Sequence, residues 1–221
     1  MINEFSKSFD TELHVHLYGC LTAEDVWELG QDALKDEAKL EWFCDEFEKV
    51  EGRRPDWRKY WTNLSGIELL RKDYEFTSPG PFPAFQSRFN LLHALFPIKS
   101  NDASVLKKVM QRDAAAGLRH VEYRCFVPPY LIEGGFSEYV TTLTSAAAKF
   151  SMERAGEFTA RIILSIPRIN VAAAARWQEI KNWLLANQNK AEARYLVGID
   201  FCQTEEGFPP EEKAWFFSEI E

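Results

Sequence analysis

Arg119-His-Val-Glu-Tyr-Arg-Cys-Phe-Val127 is the stretch on which the fold turns. It is rich in β-branched and aromatic residues, alternates in polarity and reads as a strand. A helical pattern follows over 137–156, then an apolar run over 158–166, a helical pattern over 169–187 and a third run over 194–201. Upstream, residues 102–116 read as a helix closed by Gly117 as a C-cap, and residues 11–17 as a first strand. The last segment, Glu211 to Glu221, reads as helical. Strands alternating with helices imply right-handed βαβ units and a parallel sheet, so the expected class is α/β. Four such strands fit either an open sheet or the N-terminal half, about four βα units, of a (β/α)8 TIM barrel. No G-x-G-x-x-G follows a strand and no P-loop pattern is present, which removes the usual nucleotide-binding open sheets. A barrel places its chemistry at the C-terminal strand ends, where His16, Cys125, Pro167 and Cys202 fall.

Residues 18–101 form a long helical insertion after strand one, inside what is expected to be one incomplete barrel domain spanning 1–221. Thr22 is placed to cap a helix running to about residue 34, with Asp25 as its capping-box partner. Residues 36–50 read as an acidic helix with Leu40, Phe43, Phe47 and Val50 on one face. Residues 52–81 look irregular, ending in the turn Ser78-Pro-Gly-Pro. Helical spacing returns over 82–96, with Pro83 confined to the first turn.

Composition narrows the function. The 221 residues include 17 Phe, 7 Trp and 7 Tyr, enough aromatic bulk for a sizeable core. The net charge of −8 argues against nucleic-acid binding, which favours basic patches. The start of the chain has no basic region followed by an apolar run, no stretch is long and apolar enough for a membrane span, and the four cysteines form no C-x-x-C pair. A cytoplasmic protein with free thiols, no membrane partner and no nucleic-acid partner is expected.

The candidate chemistry begins at Glu12-Leu-His-Val-His-Leu17. In a strand, positions i and i+2 share a face, so His14 and His16 can converge on one metal ion, with Glu12 on the same side. H-x-H pairs also arise by chance. Glu122 and Arg124 share a face of strand two, as do Gly198, Asp200 and Cys202 on strand four. Charges inside apolar flanks are costly unless they pair or bind metal. They read either as a polar barrel interior facing a metal site or as an ion-pair network with no catalytic role. His93 and His120 read as structural positions, and the thiols as small buried side chains. The absence of P-C-x-x-C excludes a zinc site of the cytidine-deaminase type.

Four segments, in order, carry a resemblance. His14-Val-His16-Leu-Tyr-Gly19 resembles the H-x-H-L-x-G opening of the adenosine deaminase family, metal-dependent (β/α)8-barrel hydrolases. Phe85-Gln-Ser-Arg-Phe89 resembles that family's aromatic gate helix, Val121-Glu-Tyr-Arg124 with Pro128 its V-E-x-R-x-x-P strand, and Val197-Gly-Ile-Asp200 its V-G-I-D strand. The resemblance implies a zinc-dependent aminohydrolase acting on a purine nucleoside or a related amine-bearing ring. It implies His14 and His16 as ligands of one Zn2+, and a substrate site touching Tyr18, Gly19, Phe85, Phe89 and Gln203. Tyr18 stands where the family often has an Asp that contacts the ribose. Gln203 stands at the Gly of its D-L-A-G-D-E ending, so the substrate expected here is not necessarily adenosine.

The family's further histidines, its catalytic glutamate and its aspartate ligand have no counterpart in this chain. No catalytic residue is therefore expected within the 221 residues, and the catalytic set is expected beyond Glu221. The chain reads as an N-terminal portion that is inactive alone. The expected partners are a purine-like small molecule and either the C-terminal half of the barrel or an oligomer partner. Two alternatives stay open: another amidohydrolase reaction, and a non-catalytic half-barrel that binds a partner through its open edge.

Overall fold

In a computed structural model, residues 10–32, 36–76, 80–95, 102–126, 135–202 and 207–219 are described. The chain divides into two compact units, one of residues 1–17 with 102–221 and one of residues 18–101.

The first unit is a four-stranded, wholly parallel sheet. Strands β1 (Thr11–His16), β2 (His120–Phe126), β3 (Thr159–Pro167) and β4 (Leu196–Cys202) lie side by side in chain order. Helices α5 (Asp102–Ala115), α6 (Gly135–Glu153) and α7 (Asn170–Asn187) make the crossovers. A parallel sheet in unbroken chain order is the arrangement of consecutive βα units in a barrel. Central β3 is buried on both faces, with Ile162, Ile163, Leu164, Ser165 and Ile166 all inside, as its continuous apolar run requires. On β2 the faces separate: Val121, Tyr123 and Cys125 are fully buried, while Glu122, Arg124 and Phe126 are only half-buried. The buried face is outward, toward the helices. Tyr123 donates to Asp113 on α5 at 2.6 Å, Tyr139 on α6 donates to the Phe126 carbonyl at 2.9 Å, and Ser151 accepts the Ala160 amide of β3 at 2.9 Å.

β1 departs from simple alternation. Glu12 pairs with Val121 and Val15 with Tyr123, three steps on β1 against two on β2, which marks a bulge at Leu13–His14. Glu12 is thereby in register with an outward residue, not on the face of His14 and His16. Its carboxylate turns back to accept the His14 amide at 2.9 Å. Leu13, expected in the apolar layer, is 53% exposed, as Val197 on the opposite edge strand is at 47%.

The second unit is helical. Thr22 and Asp25 close a reciprocal capping box at the start of α1 (Ala23–Asp32): the Asp25 amide donates to Thr22 Oγ1 at 3.2 Å and the Thr22 amide to Asp25 Oδ2 at 3.0 Å. Asp36 caps α2 (Glu37–Glu51) by accepting from the Ala38 and Lys39 amides, and Gly52 ends it in the left-handed region that suits glycine. Helix α3 (Gly66–Tyr74) falls where the sequence looks irregular. It is short and opens on glycine, so its apolar spacing of Ile67, Leu70 and Tyr74 lies within only nine residues, too few to stand out in a window of about 11 to 18. Asp73 accepts from the Tyr60 hydroxyl at 2.7 Å and pairs with Arg53. Gly30 is required by packing, since a Cβ there would stand 2.4 Å from the Trp61 indole. Helix α4 (Phe82–Leu95) tolerates Pro83 because that position lies in its first turn.

Several boundaries differ from expectation. Residues 191–195 form a 3-10 turn and β4 begins only at Leu196, while α6 ends at Glu153 ahead of the positive-φ Gly156. The segment expected to be helical from Glu211 to Glu221 is instead a 3-10 turn, Pro210–Lys213, followed by the short helix α8 (Ala214–Ser218). Pro209 caps that turn and Pro210 opens it, at positions where a missing amide costs nothing. Glu221 itself lies outside the described residues. No described helix is long and apolar enough to cross a membrane.

Candidate functional site

His14 and His16 lie on the face of the sheet opposite the helices, toward the C-terminal end of β1. Their ring centres are 5.6 Å apart and the rings tilt by 56°. Two imidazoles sharing one ion through nitrogens at 2.0–2.1 Å have ring centres roughly 5 Å apart. The separation of the rings is thus of the size that two ligands of one ion require. His16 keeps solvent access, yet partial desolvation holds its pKa below the ordinary 6.5, as do the nearby His14 and Arg124, while Asp200 opposes them. The neutral ring favoured near pH 7 is the form that ligates a metal.

Around the pair lie the ionisable residues of β2 and β4. Arg124 is in register with His16, and Asp200 with Ser165. Arg124 Nε stands 2.8 Å from Asp200 Oδ2, with the side chains 14% and 23% exposed. The N–H does not align with that oxygen, so the contact is a Coulombic pair rather than a hydrogen bond. Arg124 Nη1 donates to the Leu13 carbonyl at 2.6 Å. Glu122 keeps to the other end of the strand, with its carboxylate 3.6 Å from His120 Nε2. Ser165 Oγ and Asp200 Oδ1 are buried atoms with no hydrogen-bond partner among the described residues. Of the three charges in apolar flanks, Arg124 and Asp200 thus meet as an ion pair while Glu122 does not join them, an arrangement that fits both resolutions the sequence left open.

No group of three or more His, Cys, Asp or Glu side chains placed to hold a metal occurs among the described residues. His14 and His16 have the donor type and spacing for two positions, and a full tetrahedral set needs more. The cysteines do not extend it. Cys125 is fully buried on the outward face, and Cys202, which donates to the Ile166 carbonyl at 3.3 Å, has its pKa pushed up to about 12 by burial and then by the Asp200 charge.

The remaining expected site residues belong to the helical unit or lie beyond description. Tyr18 and Gly19 sit in a 3-10 turn, Tyr18–Cys20. Phe85 and Phe89 stack on one side of α4 with ring centres 5.7 Å apart and 25° between planes. Phe89 meets His93 edge-on at 5.4 Å, and Phe76 and Phe82 each lie 6.2 Å from Phe85. Phe76, Phe82 and Phe85 are all exposed, so the aromatic row is a surface and not a core stripe. Desolvation also holds the pKa of His93 low. Gln203, like Pro128 and Glu221, lies outside the described residues. A catalytic set placed beyond Glu221 has no residue in this chain to locate it, so the site here consists of the histidine pair and its surroundings. Sequence reasoning missed the bulge and the grip of Arg124 on β1, neither of which any residue pattern signals.

No protein-family model matches the chain, and no curated protein matches it. Among solved structures, the chain is similar to a zinc-bound amidohydrolase from Burkhoderia ambifaria. The identity is 17% and the TM-score 0.50, over 92% of this chain and 46% of that one. The chain thus spans about half the length of that structure. At this identity the likeness speaks for the fold alone: a mixed α/β chain with a parallel four-stranded sheet, consistent with part of a TIM-barrel-like fold.

Proposed function

We propose that this chain is the N-terminal part of a zinc-dependent aminohydrolase of the adenosine deaminase type. Residues 1–221 belong to one TIM-barrel domain, with 18–101 inserted after the first strand. The single observation carrying this reading is the pair His14 and His16, with ring centres 5.6 Å apart on the first strand of a parallel sheet. The substrate is a purine nucleoside or a related amine-bearing ring. Tyr18, Gly19, Phe85, Phe89 and Gln203 contact it, the two phenylalanines offering a flat apolar face to a heterocycle. His14 and His16 would hold the zinc ion, which when bound would supply Lewis-acid activation of water near neutral pH. This chain's own residues hold that ion and bind the substrate, while the proton-transferring groups come from strands beyond Glu221. The site belongs in the cytoplasm.

The test is zinc content and ammonia release by the native gene product, assayed on adenosine, substituted purines and other ring amines. Stoichiometric zinc that is lost in His14→Ala and His16→Ala, with ammonia from at least one purine, is the expected result. A gene product that binds no zinc, or releases no ammonia from any of these, sinks the reading. A second reading, hydrolysis of an amide or ester on the same scaffold, is favoured by Tyr18, which brings bulk and no charge where the resembled family often places Asp. It predicts zinc with activity on amides or esters and none on purines.

A further inference from the structure

We infer that Arg124 and Asp200 act together as positioning residues for the His14–His16 pair. The inference rests on reading that pair as zinc ligands. Among the described residues β1 pairs with β2, and that pairing is interrupted by the bulge at Leu13–His14. A bulge disrupts the ladder locally and leaves the direction of the side chains beside it less fixed by backbone pairing. Arg124 supplies what the ladder lacks. Its Nη1 donates to the Leu13 carbonyl at 2.6 Å, at the bulge itself and next to His14. Its backbone carbonyl accepts the Leu17 amide at 2.9 Å, just past His16. One residue of β2 therefore brackets both histidines.

An arginine side chain has many rotamers, and its grip is only as good as its own anchorage. Asp200 provides that anchorage from two strands away, at 2.8 Å from Nε. The carboxylate occupies one edge of the guanidinium and leaves Nη1 directed at β1. Neither residue needs to touch the metal. Each acts by fixing where the imidazoles point, and supporting residues of this kind typically change metal affinity about 10- to 100-fold when altered.

The test titrates the native gene product with zinc, by competition with a chromophoric chelator, in Arg124→Lys, Asp200→Asn and the double variant. Tyr123→Phe serves as control, since it disturbs β2 from the opposite, helix-facing side by removing the hydroxyl that meets Asp113. Arg124→Lys keeps the charge and loses the fork; Asp200→Asn keeps the shape and loses the charge. Each is expected to weaken zinc binding by about 10- to 100-fold with far-UV circular dichroism unchanged. The double variant is expected to be no weaker than the worse single, as for two residues acting as one device. Tyr123→Phe is expected to lower the melting temperature and leave zinc affinity within about twofold. If Arg124→Lys does not fold, Asp200→Asn decides alone. Wild-type affinity in both variants, or an equal loss in Tyr123→Phe, overturns the positioning role and leaves the zinc reading standing. No zinc binding by the wild-type protein overturns both.

Discussion

Arg124 and Asp200 form an ion pair, Nε to Oδ2 at 2.8 Å, across a strand that belongs to neither of them. Removing one partner leaves the other charge in a largely desolvated position, whereas removing both removes the penalty together with the attraction. With both side chains mostly but not fully buried, Asp200→Ala should cost about 2 kcal/mol, between the values for surface and fully buried pairs. Arg124→Met combined with Asp200→Leu should cost clearly less than the two single changes added. Urea unfolding of the four proteins, followed by circular dichroism, gives the comparison. Strict additivity would mean that the pair contributes nothing as a pair.

Thr22→Ala removes the side-chain half of the capping box at α1, leaving the Asp25 amide without its acceptor. Loss of such a cap costs about 1 kcal/mol, and Thr22→Ser should restore all but a few tenths. The loss is local, so amide exchange in the first turn of α1 should quicken while exchange in β3 stays slow. Equal acceleration in both places would mean that the cap supports more than its own helix.

The capping box and the central strand were legible in sequence for the same reason: each is written in local spacing. Thr22 and Asp25 sit three apart, and Ile162 to Ile166 lie in one apolar run, so no knowledge of the fold is needed. Helix α3 was not legible, because its stripe of Ile67, Leu70 and Tyr74 runs over only nine residues behind a glycine start, shorter than the window in which helical periodicity declares itself. The bulge was not legible either, since Leu13 and His14 alternate as well with it as without it. At the site, the shared face of His14 and His16 followed from period two. The partner of Arg124 did not, because it depends on strand order and register over β2, β3 and β4. Glu122, Arg124 and Asp200 stood out as charges in apolar flanks, yet only the last two meet.

Glu41 gives an acid-side prediction. Its carboxylate accepts from Trp57 Nε1 at 2.9 Å, from Arg54 at 2.6 Å and from Arg58 at 2.7 Å. These donors, the Trp57 indole foremost, bring its pKa from the ordinary 4.5 down to about 2. A carboxylate with a depressed folded pKa stabilises the protein fully above the unfolded value, and the contribution is lost as pH falls toward the folded value. Glu41→Gln should therefore lower the melting temperature above about pH 5 and converge on the wild type near pH 2. Because the group is over a third exposed, the gap should correspond to less than about 1 kcal/mol. A gap independent of pH across that window would show that the ionised form is not what the three donors stabilise.

Thiol chemistry separates buried structural cysteines from reactive ones. Burial, as the largest cause, pushes the Cys44 thiol up to about 11 and the Cys202 thiol up to about 12. The thiolate is the nucleophile, so at about pH 8 only about one part in a thousand of Cys44, and about a tenth of that for Cys202, is reactive. Iodoacetamide at about pH 8 should leave both unmodified in the native protein under conditions that alkylate them fully in urea, with peptide mass spectrometry as the readout. The Asp200 charge adds to the Cys202 shift, so Asp200→Asn should speed alkylation at Cys202 and leave the rate at Cys44 unchanged. Rapid native labelling of Cys202 would contradict the desolvation that raises its pKa beside the Ile166 carbonyl. Faster labelling of both thiols in Asp200→Asn would point to general loosening of the fold, and it would count against reading Asp200 as a local electrostatic group.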